Sequence, residues 1–333
     1  IALIGEALSG ERVHFRPISC SPAKATVIYP TDIVRIMRAA IVVTDPSDWT
    51  AQALLYSFTR KGIKADFLNF KDLIGSINSG PSFRCAGRDL EELDVILVRD
   101  LGRSGASDVA FRFETLMALQ ERGVDVINPP QAIARAANKF ATSLALQRAG
   151  VPTPRTAVTT SLEEAQAVLQ NLGRAVSKPL FGFKGREIFL LQDGVQADLD
   201  RLESILNMEG LVYLQEFIAM ERPRDIRAFV VDGAVLGAIY RHAPAGQWIS
   251  NLARGGHPAA CPITSELGDL AGRAAEAVGA VYCGVDLLET AVGLRVIEVN
   301  GTPSAKGIFQ ALGLDATAAI AEHVYQNCYL RGR

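Results

Sequence analysis

The chain has 333 residues, with 34 lysines and arginines against 36 aspartates and glutamates, and 49% of its residues are hydrophobic. At about 100–200 residues per domain, this length predicts two or three domains. The hydrophobic fraction excludes intrinsic disorder for the bulk of the chain. The balanced charge argues against a dedicated nucleic-acid binder, which needs a net basic footprint, but it allows a local basic pocket for a small anion.

The sequence predicts neither a transmembrane helix nor a signal peptide. No run approaches about 18 consecutive apolar residues, so no transmembrane helix is expected, and the first residues lack the pattern of a signal peptide. The five cysteines form no CxxC pair, which indicates buried free thiols in a reducing cytoplasm. The chain starts at Ile1 and shows no clean periodicity before Met37, so we expect residues 1–37 to be an extension outside the fold.

Strands alternate with helices from Met37 onward, a pattern typical of a parallel α/β domain. Predicted strands cover residues 40–43, 65–68, 95–98 and 125–127, and predicted helices cover 49–61 and 109–122. Asn128-Pro129-Pro130 breaks this pattern. A further helix over 138–149 is expected to end at Gly150.

The pattern of predicted elements differs in the second half of the chain. Ser161-x-x-Glu164 is a capping box that opens a helix to about Asn171, and short turns such as Asp232-Gly233 indicate antiparallel hairpins. Predicted strands cover 174–178, 187–191, 212–217, 226–231, 235–240, 281–289 and 294–300, and predicted helices cover 265–278 and 316–330. We therefore expect a parallel α/β domain at 38–127, a small α+β lid at 128–215 and a larger antiparallel α+β domain at 216–333.

Acidic residues mark the last two predicted strands, GVDLLE and VIEVN. Glu298 and Asn300 share a face because side chains alternate along a strand. If residues 290–294 form the turn, Asp286 lies opposite Glu298. Their apolar neighbours indicate core strands: Val285, Leu287, Ile297 and Val299. Facing carboxylates repel each other, so a cation must compensate, and it could be Mg²⁺ on hard oxygen ligands or an arginine in a structural ion pair.

A basic loop follows the predicted strand that ends at Lys178. The loop carries Gly182, Lys184 and Gly185, and glycines allow backbone N–H groups to approach a phosphate closely. The loop is not a Walker A motif, because no GK[ST] leads into a helix. The alternative is an ordinary hairpin loop with a basic tip.

A polar strand end forms the third candidate feature. Gln215-Glu216 ends one predicted strand, and Arg224, Asp225 and Arg227 precede the next. A strand end with an acceptor side chain and free backbone groups can bind the edge of an adenine. The alternative is a solvated charge cluster at a strand boundary.

Taken in order, these segments resemble the ATP-grasp superfamily over about residues 38–325. The matched segments are NKFATSLALQRAGVPTPRT, the strand-ending Lys178 with its glycine loop, QEFI, DIRAFVVDGAVLGAIYR, SNLARGG, GVDLLE and EVNGTPSAKGI. They are similar to the branch that contains the ribosomal-protein glutamate ligase, the α-aminoadipate-carrier ligase and the α-L-glutamate ligases of deazaflavin and tetrahydromethanopterin coenzymes. The segment from Val98 to Lys139 looks closest to the tetrahydromethanopterin:α-L-glutamate ligase group.

This resemblance implies an ATP-grasp fold, with an N-terminal parallel α/β domain, an α+β lid and a C-terminal antiparallel α+β domain. It implies contacts with ATP for Lys139, Lys178, Gly182, Lys184, Gly185, Gln215, Glu216, Phe217, Ile218, Asp225, Ser250 and Asn251. The two lysines would contact phosphates, Glu216 and Phe217 the adenine, and Asp225 the ribose. Two Mg²⁺ or Mn²⁺ ions would bind Asp286, Glu298 and Asn300. Arg227, Arg241 and Arg254 would act on the acyl phosphate or acceptor.

Two departures from the family pattern affect the phosphate contacts. The glycine loop carries Phe183, Lys184 and Glu187 where small residues are usual, and Ile249 stands where an arginine is common. One expected phosphate contact would then come from the backbone or from another residue such as Lys184.

The resemblance implies an ATP-dependent carboxylate–amine ligase that works through an acyl phosphate and joins L-glutamate to a small-molecule carboxylate acceptor. Amino-group-carrier and ribosomal-protein or peptide acceptors are alternatives within the branch. A non-catalytic ATP sensor and a carboxylate kinase are alternatives of another class. Homo-oligomers are common in this branch, and no nucleic-acid or membrane partner is expected.

Overall fold

The computed structural model describes residues 37–80, 82–102, 105–182 and 187–329. Residues 1–36, where most of the extension is expected, lie outside these ranges. Within the described ranges, no helix is long and apolar enough to cross a membrane.

The first part of the fold is a parallel sheet covered on both faces. Its elements in chain order are β1 (Arg38–Val42), α1 (Trp49–Arg60), β2 (Lys64–Leu68), β3 (Leu73–Gly75), β4 (Phe83–Cys85), β5 (Arg88–Asp89), β6 (Val95–Val98), α2 (Ala106–Glu121) and β7 (Asp125–Ile127). The parallel strands lie in the order β2-β1-β6-β7, and β3, β4 and β5 form a small separate antiparallel sheet. Both faces are buried because β1 and β6 are almost continuously apolar.

Two helices follow the parallel sheet: α3 (Pro130–Ala137) and α4 (Lys139–Arg148). The sequence pattern did not predict α3, because Asn128-Pro129-Pro130 has the composition of a break. Pro130 instead occupies the first helical position, where its missing N–H costs nothing. Asn138 caps α4 by accepting a hydrogen bond from the Ala141 backbone N–H at 3.0 Å.

A third sheet forms the lid of the cleft. Its elements are β8 (Thr156–Thr159), α5 (Leu162–Leu172), β9 (Arg174–Ser177), β10 (Phe189–Gln192), α6 (Gln196–Glu209) and β11 (Val212–Glu216). The strands are antiparallel in the order β10-β9-β11-β8. Ser161 Oγ caps α5 by accepting from the Glu164 N–H at 3.3 Å, but the Ser161 N–H donates to Thr159 Oγ1. The predicted reciprocal bond of the capping box is thus replaced by a local turn.

A fourth, antiparallel sheet forms the base. Its elements are β12 (Arg224–Val231), β13 (Ala234–His242), β14 (His257–Cys261), α7 (Ser265–Val278), β15 (Tyr282–Thr290), β16 (Gly293–Asn300), α8 (Lys306–Leu312) and α9 (Ala316–Val324). The strand order is β14-β13-β12-β15-β16. Asp232 and Gly233, with φ of 52° and 75°, make the predicted hairpin turn, in which both central residues need positive φ. Helices α7, α4 and α3 cover one face.

The opposite face of the base sheet has two regions. One packs against α8, α9 and the parallel sheet in a shared core that includes Phe229, Ile239 and Tyr282. The other carries polar residues and opens to the lid. Buried Asn128 connects the two parts of the fold, because its amide donates to the backbone oxygens of Tyr282 at 2.7 Å and Gly301 at 2.6 Å. It also accepts from the Val281 and Tyr282 N–H groups.

The predicted pairing of Asp286 with Glu298 is confirmed, but it arises differently from the expectation. The turn is one residue shorter, because Thr290 pairs with Gly293. A β-bulge next to Asp286 restores the register by leaving Ile297 as an extra residue. Because of the bulge, Val296 and not Ile297 is the fully buried apolar residue on this side of Glu298. Ile297 lines the cleft instead. The expectation that Ile297 is a core residue was wrong for this reason.

Candidate active site

A cavity of about 370 Å³ lies between the lid sheet and the base sheet, within the size range of small-ligand sites. The structure brings most of the predicted site residues to its wall: Lys139, Lys178, Gly182, Gln215, Glu216, Phe217, Ile218, Asp225, Arg227, Arg241, Ser250, Asn251, Asp286, Glu298 and Asn300. Arg254 is exposed on the short turn at Leu252–Arg254 and does not line this cavity. Lys184 and Gly185 lie outside the described residues.

Strand register places the charged residues of the base sheet in adjacent pairs. Asp225 lies opposite Arg241, and Arg227 lies opposite Asp286. Asp286 in turn lies opposite Glu298. Because Asp225 and Arg227 are two residues apart, they share a face, and so a single sheet face presents alternating acidic and basic side chains to the cleft.

These side chains form a buried ion-pair network. Arg241 holds Asp225 with two bonds, from Nε at 2.6 Å and from Nη2 at 2.5 Å, and its Nη2 also donates to Asp286 Oδ2 at 2.7 Å. Arg227 binds Asp286 through Nη2 at 2.7 Å and also through Nε. Burial raises the pKa of Asp286, but the charges of Arg227 and Arg241 outweigh it and hold that pKa below its ordinary value.

Of the two cations considered for Asp286, the structure thus shows the arginine ion pair. The donor set still suits a hard metal, because Asp286, Glu298 and Asn300 supply two carboxylates and an amide oxygen from the paired strands β15 and β16 at the cleft. Among the described residues, no group of three or more His, Cys, Asp and Glu side chains could hold a metal ion. A metal here would therefore need Asn300 or non-protein oxygens to complete its ligand shell.

Two lysines interact with the charge of Glu298: Lys178, which follows the lid strand β9, and Lys139 at the start of α4. Lys139 is 8% exposed and donates to the Gly182 carbonyl at 3.2 Å, while Lys178 donates to Gln215 Oε1 at 2.7 Å. Burial lowers the pKa of both lysines, and the charge of Glu298 partly opposes this effect. Cations held in a poorly solvated cleft interact strongly with an anionic ligand.

The strand end after β11 is fixed by Arg155. Glu216 accepts from the Arg155 backbone N–H at 3.2 Å and from its Nη2 at 3.3 Å. Desolvation raises the pKa of Glu216, and the hydrogen bonds from Arg155 more than offset this, so the pKa lies below its ordinary value. The Glu216 carboxylate therefore fixes this strand end, and the segment from Glu216 to Ile218 lines the cleft.

An apolar wall was missed by the sequence reasoning. Beside Phe217, the cleft is lined by Val176, Ile188, Met220, Trp248, Leu288 and Ile297. Trp248 contacts the Phe217 ring edge-on, with centroids 5.7 Å apart, and the Arg174 guanidinium lies 4.5 Å from the same ring centroid. These residues come from separate segments, and the available signal was strand alternation, which places Val176 on the face of Lys178. The wall suits a flat apolar group such as a purine.

The segment from Ser250 to Gly256 folds back on itself, which explains its two glycines. Gly255 has a φ of 88°, a region that favours glycine. A Cβ on Gly256 would lie 2.2 Å from the Ser250 carbonyl oxygen. This close turn holds Ser250 and Asn251 against the cleft.

A lid sheet closing over a lysine-bearing cleft, opposite paired acidic strands, is the arrangement of an ATP-grasp enzyme. Residues 136–324 match the family model described as the RimK-like ATP-grasp domain. The chain therefore belongs to the RimK-like ATP-grasp family, and it is an ATP-dependent ligase that forms C–N bonds. The fold class expected from the resemblance is confirmed.

Two relatives are similar over nearly their whole length. The tetrahydromethanopterin:α-L-glutamate ligase of Methanosarcina acetivorans is 41% identical, covering 86% of this chain and 98% of the relative. The enzyme of the same name from Methanocaldococcus jannaschii is 35% identical, covering 86% and 97%. Among solved structures, the ATP-grasp ligase PsnB complexed with a precursor variant, Mg and ADP has a TM-score of 0.69 at 22% identity, covering 87% of this chain and 98% of that one. That likeness shows the fold.

Proposed function

We propose that this ligase adds L-glutamate to a carboxylate of a tetrahydromethanopterin-type coenzyme. The similarity to the two tetrahydromethanopterin:α-L-glutamate ligases, which covers 86% of this chain, supports the substrate. The observation that carries the chemistry is the cleft in which Lys139 and Lys178 face Glu298 and Asp286. This arrangement suits a polyphosphate, whose charge the lysines balance and whose metal the carboxylates bind.

The reaction has two steps and needs no protein nucleophile. A carboxylate oxygen of the acceptor attacks the γ-phosphorus of ATP, the bond to the leaving ADP breaks, and an acyl phosphate forms. The glutamate nitrogen then attacks the acyl carbon, phosphate leaves, and the nitrogen loses a proton to give the amide. The protein supplies positions and charges for both steps.

Each part of the cleft takes one portion of the nucleotide in this proposal. The backbone from Glu216 to Ile218 binds the adenine edge, with the apolar wall on the ring faces. Lys139 and Lys178 hold phosphate oxygens, joined by Lys184 and the backbone at Gly182 and Gly185. Asp225 takes a ribose hydroxyl on the lone pairs that Arg241 leaves free, since a carboxylate accepts more than two hydrogen bonds.

The acceptor side of the cleft is assigned to the arginines and to the turn after β13. Arg227 and Arg241 balance the charge of the acyl phosphate, and Ser250 and Asn251 approach the γ-phosphate. Arg254, which is exposed outside the cavity, contacts the acceptor in this proposal. Asp286, Glu298 and Asn300 would hold two Mg²⁺ or Mn²⁺ ions. When bound, these ions neutralise phosphate charge.

The substrate is tested by mass spectrometry of reactions with ATP, Mg²⁺, L-glutamate and tetrahydromethanopterin. The expected product is heavier by one or more glutamyl residues, with ADP formed only when both substrates are present. Aspartate in place of glutamate, and a deazaflavin or a carrier peptide in place of the pterin, are the controls. Product with a control acceptor alone would reassign the substrate. ADP formed without an amine would indicate a carboxylate kinase, and ATP binding without turnover would indicate a sensor.

A further inference from the structure

One strand of the lid carries two polar side chains on its inner face. In β11, Val212 and Leu214 pack against α5 and α6 in the lid core. Tyr213 and Gln215 therefore point to the other side, because strand side chains alternate. Both are buried, with exposed fractions of 1% and 3%, so their polar groups need partners within the protein.

The Gln215 amide is engaged at both ends by other side chains. Its oxygen accepts from Lys178 Nζ at 2.7 Å. Its nitrogen donates to the hydroxyls of Tyr213 and Thr156, each at 3.2 Å. Both N–H donors of the amide are thus used inside the lid, and neither is directed to a purine ring.

The same network reaches the second lysine of the cleft. The Tyr213 hydroxyl lies 3.1 Å from Ser143 Oγ, and Ser143 lies four residues after Lys139 on α4. Residues at this spacing share a helix face. Hydrogen bonds therefore connect Lys178, through Gln215 and Tyr213, to the helix that presents Lys139.

We propose that Gln215 is a positioning residue that holds the Lys178 ammonium toward the nucleotide phosphates, and that it does not read the adenine base. The proposal rests on the nucleotide site proposed above. A neutral amide suits this task, because it accepts a hydrogen bond from the lysine and leaves its positive charge available to phosphate. A glutamate at this position would hold the lysine equally well but would cancel that charge.

The test compares nucleotides that differ only in phosphate content. Calorimetric titration of Gln215→Leu is expected to show ADP binding weakened about tenfold, as for a lost hydrogen bond to a charged group, with adenosine affinity unchanged within about twofold. Equal weakening of ADP and adenosine would mean that Gln215 reads the base, and the proposal would be wrong. In a Lys178→Met background, the same substitution should change ADP affinity no further.

Two further variants separate positioning from folding. Tyr213→Phe removes one hydroxyl of the network and should weaken ADP binding in the same direction but less. Leu214→Val perturbs the other face of the same strand and should leave the ratio of ADP to adenosine affinity unchanged. A similar change of this ratio in Leu214→Val would overturn the proposal. Wild-type protein that binds no ATP would refute the nucleotide site itself, before any variant is compared.

Discussion

Arg241 and Asp286 form a buried ion pair at the wall of the cleft. Arg241 is 4% exposed and Asp286 is 3% exposed. Arg241 Nη2 lies 2.7 Å from Asp286 Oδ2. A buried charge without a partner is far more costly than an exposed one. Removal of any one member of the ion-pair network would therefore leave a buried charge without its full set of partners.

Replacement of Arg241 by Met is expected to lower the free energy of unfolding at pH 7 by about 3–5 kcal/mol, because it leaves buried carboxylates undercompensated. Urea denaturation measures this loss. The matched control is Arg38→Met, which removes the exposed pair with Glu92 and should cost at most about 1 kcal/mol. Equal losses in the two variants would contradict a buried network.

The same pair predicts a dependence on pH. In the wild type, the pKa of Asp286 is lowered by its arginines, so its contribution is present above the ordinary Asp pKa of about 3.9 and is lost as the pH falls below it. Without Arg241, burial acts on the carboxylate with less opposition and the pKa rises. The stability difference between wild type and Arg241→Met should therefore shrink from pH 7 toward pH 4, and a constant difference would argue against titration of Asp286.

Gly284 shows a second residue-level requirement of the site. An alanine Cβ there would lie 2.9 Å from Arg227 Cδ and 3.2 Å from Pro303 Cβ, so Gly284→Ala should displace Arg227 and lower kcat by about tenfold or more. Gly268→Ala is the control, because its Cβ would meet only Ile263 at 4.0 Å. Steady-state ADP release checks both variants, and unchanged kcat in Gly284→Ala would remove Arg227 from the proposed machinery.

At the scale of elements, the β-bulge in β16 distributes its side chains between core and cleft. Val296 is fully buried, whereas the extra residue, Ile297, lines the cleft next to Glu298. Bulges re-aim side chains in this way next to active sites. The strand thereby supplies an apolar surface and a carboxylate to the same cavity.

This division predicts opposite effects for two adjacent substitutions. Val296→Ala should lower the free energy of unfolding by about 2 kcal/mol, because it opens a space in a packed core, and should leave the KM for ATP unchanged. Ile297→Ala should cost less than about 1 kcal/mol but raise the KM for ATP. Urea denaturation and steady-state kinetics test the pair, and the reverse pattern would contradict this division between core and cleft.

At the scale of the whole molecule, Asn128 joins the parallel sheet to the base sheet. Its side chain is fully buried and bonds to the backbone at Val281, Tyr282 and Gly301. Gly301 directly follows Asn300, so this connection also fixes the end of the strand that carries the acidic site. The Tyr282 hydroxyl adds a bond to the Val98 carbonyl at 3.1 Å.

Asn128→Ala is expected to lower the free energy of unfolding by about 3 kcal/mol, because it leaves several buried backbone groups without partners. Chemical denaturation measures the loss, with Asn207→Ala on the exposed side of α6 as the control. Similar small losses for the two variants would show that Asn128 does not hold the sheets together.

The sequence by itself determined many of the local elements, although not α3, α6, β8, β14 or α8, and it determined the class of chemistry. The apolar runs at β1 and β6, the cap at Ser161 and the Asp232-Gly233 turn depend on neighbours within a few residues, so their pattern is visible in the chain. The pairing of Asp286 with Glu298 was predicted from the hairpin that connects them, but the shorter turn and the bulge that together produce it were not. The ATP-grasp resemblance depended on such short segments in order.

Only the tertiary structure decided which partners the polar side chains of those segments have and which side chains face the cleft. Gln215 is polar at a strand end, but its role follows from Lys178, Tyr213 and Thr156, which lie in other segments. Asn128 had the composition of a break, yet its amide is satisfied by residues more than 150 positions away. Ile297 faces the cleft because a bulge compensates a shorter turn. The burial and pairing of a polar group depend on contacts with segments that are distant along the chain. A local sequence pattern does not indicate those contacts.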